Sequence, residues 1–385
     1  MRFVFTEEQE IWRREVRKFF SEQITDEVRK EYYENREGFP YKLWGKLVER
    51  NWVGLGVPQE YDGLGKSHFE IALFLEELTY ADAPAPLYCV YTTTFMLCEV
   101  LHHFASEDLK KRIFSEIVKG NGKPAWGFTE PEAGSDLGAC QSKAIREGDF
   151  YVTTGTKIFN FAHYCDYILT LCRTSFDIPY YKGMSLFLID LKSPGITINP
   201  IWLIDRERRN EVHFDAVKVP VDNRIGDENK GWECLLTGLN FERYILAETG
   251  GIISAFEKIL HLIENRETIS QNSSIRSSLA EIAKDLEMTK LIFYRAVWLR
   301  EKGQLPLKEA IMARLLGAEV RWKLTNVGMD SLGLASLLEE ETSWTLPEQF
   351  LCEHYRGAKA LWAIAGGTLE VLRNTIASAE LKLPR

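Results

Sequence analysis

Apolar and polar positions follow three rhythms along the chain. From Thr6 to about Ile117 the spacing is helical. Ile11, Val16, Phe19, Phe20 and Ile24 share a stripe, and Ile71, Leu73, Phe74 and Leu78 mark a second helix that stops before A-D-A-P-A-P. Thr6 ahead of Glu7 and Glu8 reads as an N-cap with acids in the first turn. A further helix around Leu109 to Ile117 ends at Gly120. The stretch N-W-V-G-L-G-V-P-Q-E-Y-D-G-L-G, residues 51–65, is a glycine-rich connection with Pro58 and Gly63 as turn residues.

After Gly122 the rhythm changes. Tyr151 to Thr154, Tyr167 to Cys172, Met184 to Ile189 and Val212 to Phe214 are short β-branched or aromatic runs. Turn residues at Gly148-Asp149, Asp177 to Pro179, Pro194-Gly195 and Val221 to Asn223 separate them. Short strands without crossover helices predict a compact, mostly antiparallel sheet. After Gly231 helices return. Leu235, Leu239, Glu242 and Leu246 fall four, three and four residues apart, as do Ile275, Leu279, Ile282 and Leu286. One more helix follows Pro306 through Ile311, Leu315 and Trp322, and a last one follows Gly366-Gly367-Thr368 through Leu372 and Ile376. This spacing suits a four-helix bundle. The expected fold is therefore α+β, with an N-terminal α-helical domain (1–121), a central antiparallel β domain (122–228) and a C-terminal four-helix bundle (229–385). No internal repeat or low-complexity tract appears.

Composition narrows the class. The 385 residues are 45% hydrophobic and 27% charged, as in ordinary globular proteins, with a formal net charge of -9. That charge, without a basic aromatic stripe, argues against nucleic acid as a partner. The seven cysteines (Cys89, Cys98, Cys140, Cys165, Cys172, Cys234 and Cys352) form no C-x-x-C and no metal-like spacing with histidine, so reduced thiols and no metal site are expected. The N-terminus lacks a signal-peptide apolar core, and no apolar run reaches membrane-spanning length. A cytoplasmic protein without membrane partners is expected.

The chemically densest stretch is W-G-F-T-E-P-E-A-G-S-D-L, residues 126–137. Pro131 interrupts any helix, Gly134 allows backbone to approach a ligand, and Ser135 and Asp136 add a hydroxyl and a carboxylate. The same residues also make a polar turn that satisfies its own backbone. Taken as a whole, the string resembles the signature of the acyl-CoA dehydrogenase family, where it wraps the flavin ring and the start of the thioester substrate. Other segments carry the same resemblance in the same order. They are G-L-G-V-P-Q-E-Y-D-G-L-G, then N-E-V-H-F-D-A-V-K-V-P with Asn223, then A-I-A-G-G-T-L-E-V-L-R-N-T-I-A and the closing L-P-R. The likeness covers essentially the whole chain, and its A-G-G-T form is similar to a bacterial branch that includes steroid side-chain dehydrogenases.

The resemblance implies FAD as cofactor and α,β-desaturation of an acyl thioester, carried on CoA or on an acyl-carrier protein. It implies an electron-transfer flavoprotein as acceptor and a homodimer or homotetramer, because the family builds each flavin site from two chains. A base removes the proton beside the carbonyl, a task that suits a carboxylate whose pKa burial has raised. Most family members place that base where this chain has Gly366, which has no side chain. A minority place it on the bundle helix before an arginine, and here that pair is Glu242-Arg243. Glu242 also sits on an apolar stripe, where charge is costly unless paired or used. It is thus either the base, with Arg243 shaping the acyl pocket, or a helix glutamate at the surface or paired with Arg243 or another cation. Glu370, in a first helical turn that favours acids anyway, suits the role less well.

Toward the flavin the resemblance carries over Trp126, Phe128 and Thr129, with Gly134 and Ser135 near flavin and thioester. Phe159 matches the aromatic residue beside the ring; by pattern alone it is an ordinary strand-core aromatic. Gly366, Gly367 and Thr368, with Glu370 just beyond, match the loop that meets the adenosine half, and equally a glycine turn capped by Thr368. Three departures stand out. N-F-A-H-Y puts Phe161 where a hydroxyl often bonds the flavin, leaving Asn160 as substitute. Arg266 in E-N-R-E-T-I-S-Q stands in for the arginine that reaches the pyrophosphate of the neighbouring subunit's flavin, but it lacks the Phe-Gly that normally follows. D-S-L-G-L, residues 330–334, replaces Q-x-L-G-G, and an aspartate there repels a pyrophosphate. These losses admit a hetero-oligomer in which the chain is a non-catalytic or half-site subunit. A flavin monooxygenase of the same fold is the remaining alternative.

Overall fold

The computed structural model describes residues 5–384 apart from 26, 29–31, 33–37, 178–179, 206, 246–247, 267–269, 338–354, 356 and 358–362. The side chains of 180, 243–245 and 335 also lie outside the described part. In chain order come α1 (Glu7–Gln23), α2 (Tyr41–Glu49), α3 (His68–Tyr80), α4 (Ala85–Phe104) and α5 (Glu107–Val118). Eight strands follow: β1 (Pro124–Gly127), β2 (Lys143–Glu147), β3 (Phe150–Asn160), β4 (Tyr167–Arg173), β5 (Met184–Asp190), β6 (Ile196–Trp202), β7 (Arg208–Pro220) and β8 (Arg224–Ile225). Then come α6 (Gly231–Ile245), α7 (Thr249–Glu264), α8 (Ser273–Glu301), α9 (Leu307–Leu332) and α10 (Leu369–Thr375). Among the described residues no helix is long and apolar enough to cross a membrane.

Packing groups these elements into two compact units, residues 25–67 with 84–242, and residues 1–24 with 68–83 and 243–385. The first unit holds the sheet, in the order β6-β7-β3-β2-β4-β5-β8 with β1 beside β4. Most pairings are antiparallel, as expected, but the sheet is mixed. β1 runs parallel to β4 from Pro124↔Tyr167 to Gly127↔Thr170, and β2 meets β4 in parallel at Lys143↔Arg173. Leu169, Leu171, Leu186 and Leu188 of β4 and β5 pack against Leu97 and Leu101 of α4, Ile113 and Phe114 of α5, and Leu235 of α6. α4 carries no predicted stripe because it is buried on nearly every side, which leaves no polar face to make one.

The second unit is helical. Thr6 caps α1 as expected, accepting from the Gln9 N–H while Gln9 returns a bond to the Thr6 backbone. Ile252, Ile259 and Ile263 of α7 form a core with Leu279, Ile282 and Leu286 of α8 and Val320 and Leu324 of α9. Arg13 of α1 bonds the adjacent Glu76 and Glu77 of α3, each at 2.7 Å. Tyr294 of α8 and Thr249 of α7 also donate to Glu76, both at 2.8 Å. One buried carboxylate therefore joins four helices, its lone pairs satisfied by directed donors.

Candidate active site

The site is best built from the sheet unit outward. β1 is short, and the chain leaves it through Phe128 and Thr129 into an exposed arc, residues 131–136, in which only Ala133 is buried. The arc stands on a buried, charged stem. The Glu130 carboxylate accepts from the backbone N–H of Gln141 (2.6 Å) and Ser142 (3.0 Å) and pairs with Lys157 of β3 at 2.7 Å. Lys157 donates further to the carbonyls of Leu171 (2.7 Å) and Phe128 (3.4 Å). Burial disfavours the ionised Glu130, yet Lys157 and the surrounding donors outweigh it and hold the carboxyl below its ordinary pKa. On the far side Arg173 donates to the carbonyls of Gly138 (2.9 Å) and Cys140 (3.3 Å). The T-E-P-E-A-G-S-D string is thus not a turn closed only upon itself. Its ends are clamped from below and its tip is presented. At Gly134 an added Cβ would meet nothing within 4 Å, so only a ligand outside the chain would constrain that position.

Phe159 departs from its pattern. It lies in a register irregularity between β3 and β7, with φ 61, and is 48% exposed. A bulky residue in the left-handed region is strained by about 1–3 kcal/mol and persists only where its surroundings over-determine it. Phe159 is therefore no core aromatic; the backbone turns its ring outward. The core place goes to Phe161, fully buried, with Trp126 packed edge-on at 4.7 Å and Tyr164 stacked at 5.8 Å. Asn160 is fully buried as well, its Oδ1 accepting from the Ala162 N–H at 3.2 Å and its Nδ2 donating to the Lys157 carbonyl at 3.4 Å. That placement lets Asn160 hold the turn. Beside it His163 accepts at Nδ1 from Asn210 (2.8 Å), and burial together with Arg208 and Arg209 pushes its pKa down to about 3. It stays neutral.

Glu242 is 5% exposed, so the stripe assignment stands and the surface reading falls. α6 reaches this depth because Gly238 lies where a Cβ would fall 2.5 Å from Met96 of α4. Phe241 meets Phe95 of the same helix, ring to ring, at 6.3 Å. Leu246 and the Arg243 side chain lie outside the described residues.

In the helical unit Gly366 and Gly367 take φ 70 and 95, a conformation side chains resist, immediately before α10. Thr368 caps that helix, accepting from the Val371 N–H at 3.2 Å, and Glu370 is exposed in its first turn. Sequence reasoning missed the residue that holds this loop. Arg314 of α9, fully buried, donates to the Ala365 carbonyl at 2.8 Å. Glu248 pairs with Arg321 nearby; burial dominates there and raises Glu248 to about 7 despite Arg321 and Arg314. A signal was available: Arg314 and Arg321 lie seven residues apart on a face shared with Ala310, Ile311, Gly317, Ala318 and Leu324, a charge on an apolar stripe as at Glu242. Arg266 follows α7 and is partly buried. Asp330 is exposed near the end of α9, and Leu334, just beyond Gly333 (φ 56), is 83% exposed.

These features fit FAD where they concern this chain's own flavin. The sheet unit presents an exposed aromatic face and a loop with open space at Gly134, and the helical unit, taken by itself, has a glycine loop before a helix. Among the described residues no group of His, Cys, Asp or Glu is placed to hold a metal ion.

Comparison with known proteins agrees. The pattern of the acyl-CoA dehydrogenase N-terminal domain matches residues 6–121, that of the middle domain 125–217, and that of the C-terminal domain 229–381. The chain is 30% identical to acyl-CoA dehydrogenase FadE29 of Mycobacterium tuberculosis, over 99% of this chain and 98% of that protein. Among solved structures it resembles the Tcur3481-Tcur3483 steroid ACAD, with a TM-score of 0.90 and 27% identity over 100% of both chains. It resembles equally the ChsE4-ChsE5 complex from Mycobacterium tuberculosis, with a TM-score of 0.89 and 27% identity over 100% of both chains.

Proposed function

For this chain, which belongs to the acyl-CoA dehydrogenase family and takes FAD as its cofactor, we propose α,β-desaturation of an acyl thioester with Glu242 as the base. One observation carries the reading. Glu242 is a buried carboxylate on a helix drawn tightly into the core, while the family's usual base position holds Gly366. FAD, when bound, supplies the hydride acceptor. Glu242 takes the proton from the carbon beside the thioester carbonyl. Arg243 takes the role that the family resemblance gives it, helping to shape the acyl pocket. Trp126, Phe128, Thr129 and Phe159 hold the flavin ring, Gly134 and Ser135 approach ring and thioester, and Gly367, Thr368 and Glu370 lie toward the adenosine half. The thioester is carried on CoA or a carrier protein, and an electron-transfer flavoprotein receives the electrons.

A second reading concerns assembly. Asp330 and the 83%-exposed Leu334 stand where the family touches a neighbour's dinucleotide, and neither welcomes a pyrophosphate. The neighbours bearing two-chain names make a mixed assembly the natural comparison. In such an assembly this chain supplies Glu242 and its own flavin-facing loop, and a different subunit supplies the dinucleotide contact that Asp330 opposes, with Arg266 still available to the neighbour's cofactor. A visible spectrum of the purified chain, followed anaerobically as acyl-CoAs of different shapes are added, tests both readings. Flavin that bleaches with one thioester, and not in Glu242→Gln, supports the self-sufficient dehydrogenase. A colourless chain that takes up no FAD until a second subunit is added supports the half-site reading and overturns the homo-oligomer.

A further inference from the structure

We propose that Lys157 is a positioning residue for the flavin-facing surface, aiming the Phe128–Thr129 backbone and the Phe159 ring through its buried pair with Glu130. This rests on the reading above, in which those residues meet the flavin.

An ammonium has three donors, and here each finds an acceptor on a different segment. They are Glu130 Oε1 at 2.7 Å, the Leu171 carbonyl of β4 at 2.7 Å, and the Phe128 carbonyl beyond β1 at 3.4 Å. Glu130 in turn accepts the N–H groups of Gln141 and Ser142, where the presented loop rejoins the sheet. One ion pair, fully enclosed, therefore joins the exit of β1, both ends of the loop, β4 and β3. A buried pair of this kind is seldom the most stable filling, because apolar residues of similar volume do as well or better. What charge adds is direction. A donor on the Phe128 carbonyl fixes the plane of the peptide that joins it to Thr129.

The backbone that carries this side chain flanks the strained ring. Lys157 precedes Phe159 by two residues, and its own carbonyl accepts from Asn160 Nδ2 at 3.4 Å on the other side. Between them the Ile158 N–H donates to the Thr129 carbonyl at 2.9 Å, joining the two flavin-facing segments directly. Phe159 therefore holds φ 61 between two anchored neighbours while its ring faces outward. Neither the strain nor the exposure serves the chain's own packing. Both serve a flat partner laid against that face.

The test is the double variant Glu130→Gln/Lys157→Met, which removes both charges together and leaves no uncompensated ion. The fold is expected to survive, with a melting temperature within a few degrees of wild type. FAD affinity, read by quenching of flavin fluorescence on titration into apoprotein, is expected to fall at least tenfold, and the visible circular dichroism of bound flavin to change. Glu130→Gln/Lys157→Gln, which keeps a neutral donor at 157, is expected to fall between. Wild-type affinity and dichroism in either folded variant overturn the proposal. Failure of both to fold at 10 °C also overturns it, since the pair is then a folding element only. A wild-type chain that takes up no FAD overturns the reading beneath it, and the clamp with it.

Discussion

Two buried glutamates, one in each unit, face a cation, yet their proton affinities move in opposite directions. In the sheet unit Glu130 meets Lys157 and two backbone N–H groups, and its pKa is lowered against the pull of burial. In the helical unit Glu248 meets Arg321, with Arg314 near, and burial wins, raising it to about 7. Charge partners alone do not decide the matter. Backbone N–H groups are fixed dipoles that cannot turn away, so a carboxylate seated on two of them is pre-solvated for its ionised form. Glu248 itself enters α7 with φ 45, a strained position. The sheet unit thus holds a stem carboxylate that favours its ionised form, and the helical unit holds a carboxylate raised to about 7.

Glu242 sharpens the contrast most, because its burial serves chemistry under the proposed function. Glu242→Gln is expected to cut turnover by roughly 10²- to 10⁴-fold while leaving the bound-flavin spectrum intact; single-turnover bleaching measures it, and near-normal turnover removes Glu242 as the base. Next in size is Lys157→Met alone, which leaves Glu130 charged and buried. It is expected to lose about 3–5 kcal/mol in urea unfolding, most of it restored when Glu130→Gln is added. A loss below about 1 kcal/mol would put the Glu130 donors, and not Lys157, in charge of the stem.

The pH dependence separates the two carboxylates directly. Glu248 holds a proton in the folded chain between its ordinary 4.5 and about 7, where the unfolded chain has lost it. Its contribution is therefore complete below pH 4.5 and declines as pH rises through 7. For Glu130, with a lowered folded pKa, the contribution is present above its ordinary 4.5 and is lost as pH falls through the folded value. Urea unfolding of Glu248→Gln between pH 4.5 and 7.5 is expected to lack the downward trend of wild type. A profile parallel to wild type would abolish the contrast. The smallest effect is a surface control: Thr6→Ala removes the α1 cap and is expected to cost about 1 kcal/mol, read as a shift in urea midpoint.

How legible the molecule was depended on how each element is buried. Helices with one wet face announced themselves, as α1 and α8 did. α4, dry almost all round, and β1, four residues of P-A-W-G, did not. β6 hid behind Pro200 and β2 behind K-A-I-R-E, since an edge or short strand needs no alternating apolar face. α7 carries a readable stripe in Ile252, Ile259 and Ile263. At the site, Glu242 was legible because a charge on an apolar stripe is a local anomaly. Phe159 and Asn160 were not, because the reversal of their roles with Phe161 comes from a backbone irregularity that no residue spacing records.

The sequence by itself determined the order of helical and β segments, the family, and the occurrence of a glutamate at 242 together with a side-chain-free glycine at 366. These rest on residue identity and on local periodicity, which short stretches of chain carry unaided. Only the tertiary structure decided that Phe159 faces outward, that Lys157 and Glu130 lie under the loop, and that Arg314 holds the Ala365 carbonyl. Each of these joins residues far apart in the chain, and each depends on burial. Water removed by packing turns a weak surface attraction between such residues into a directional constraint.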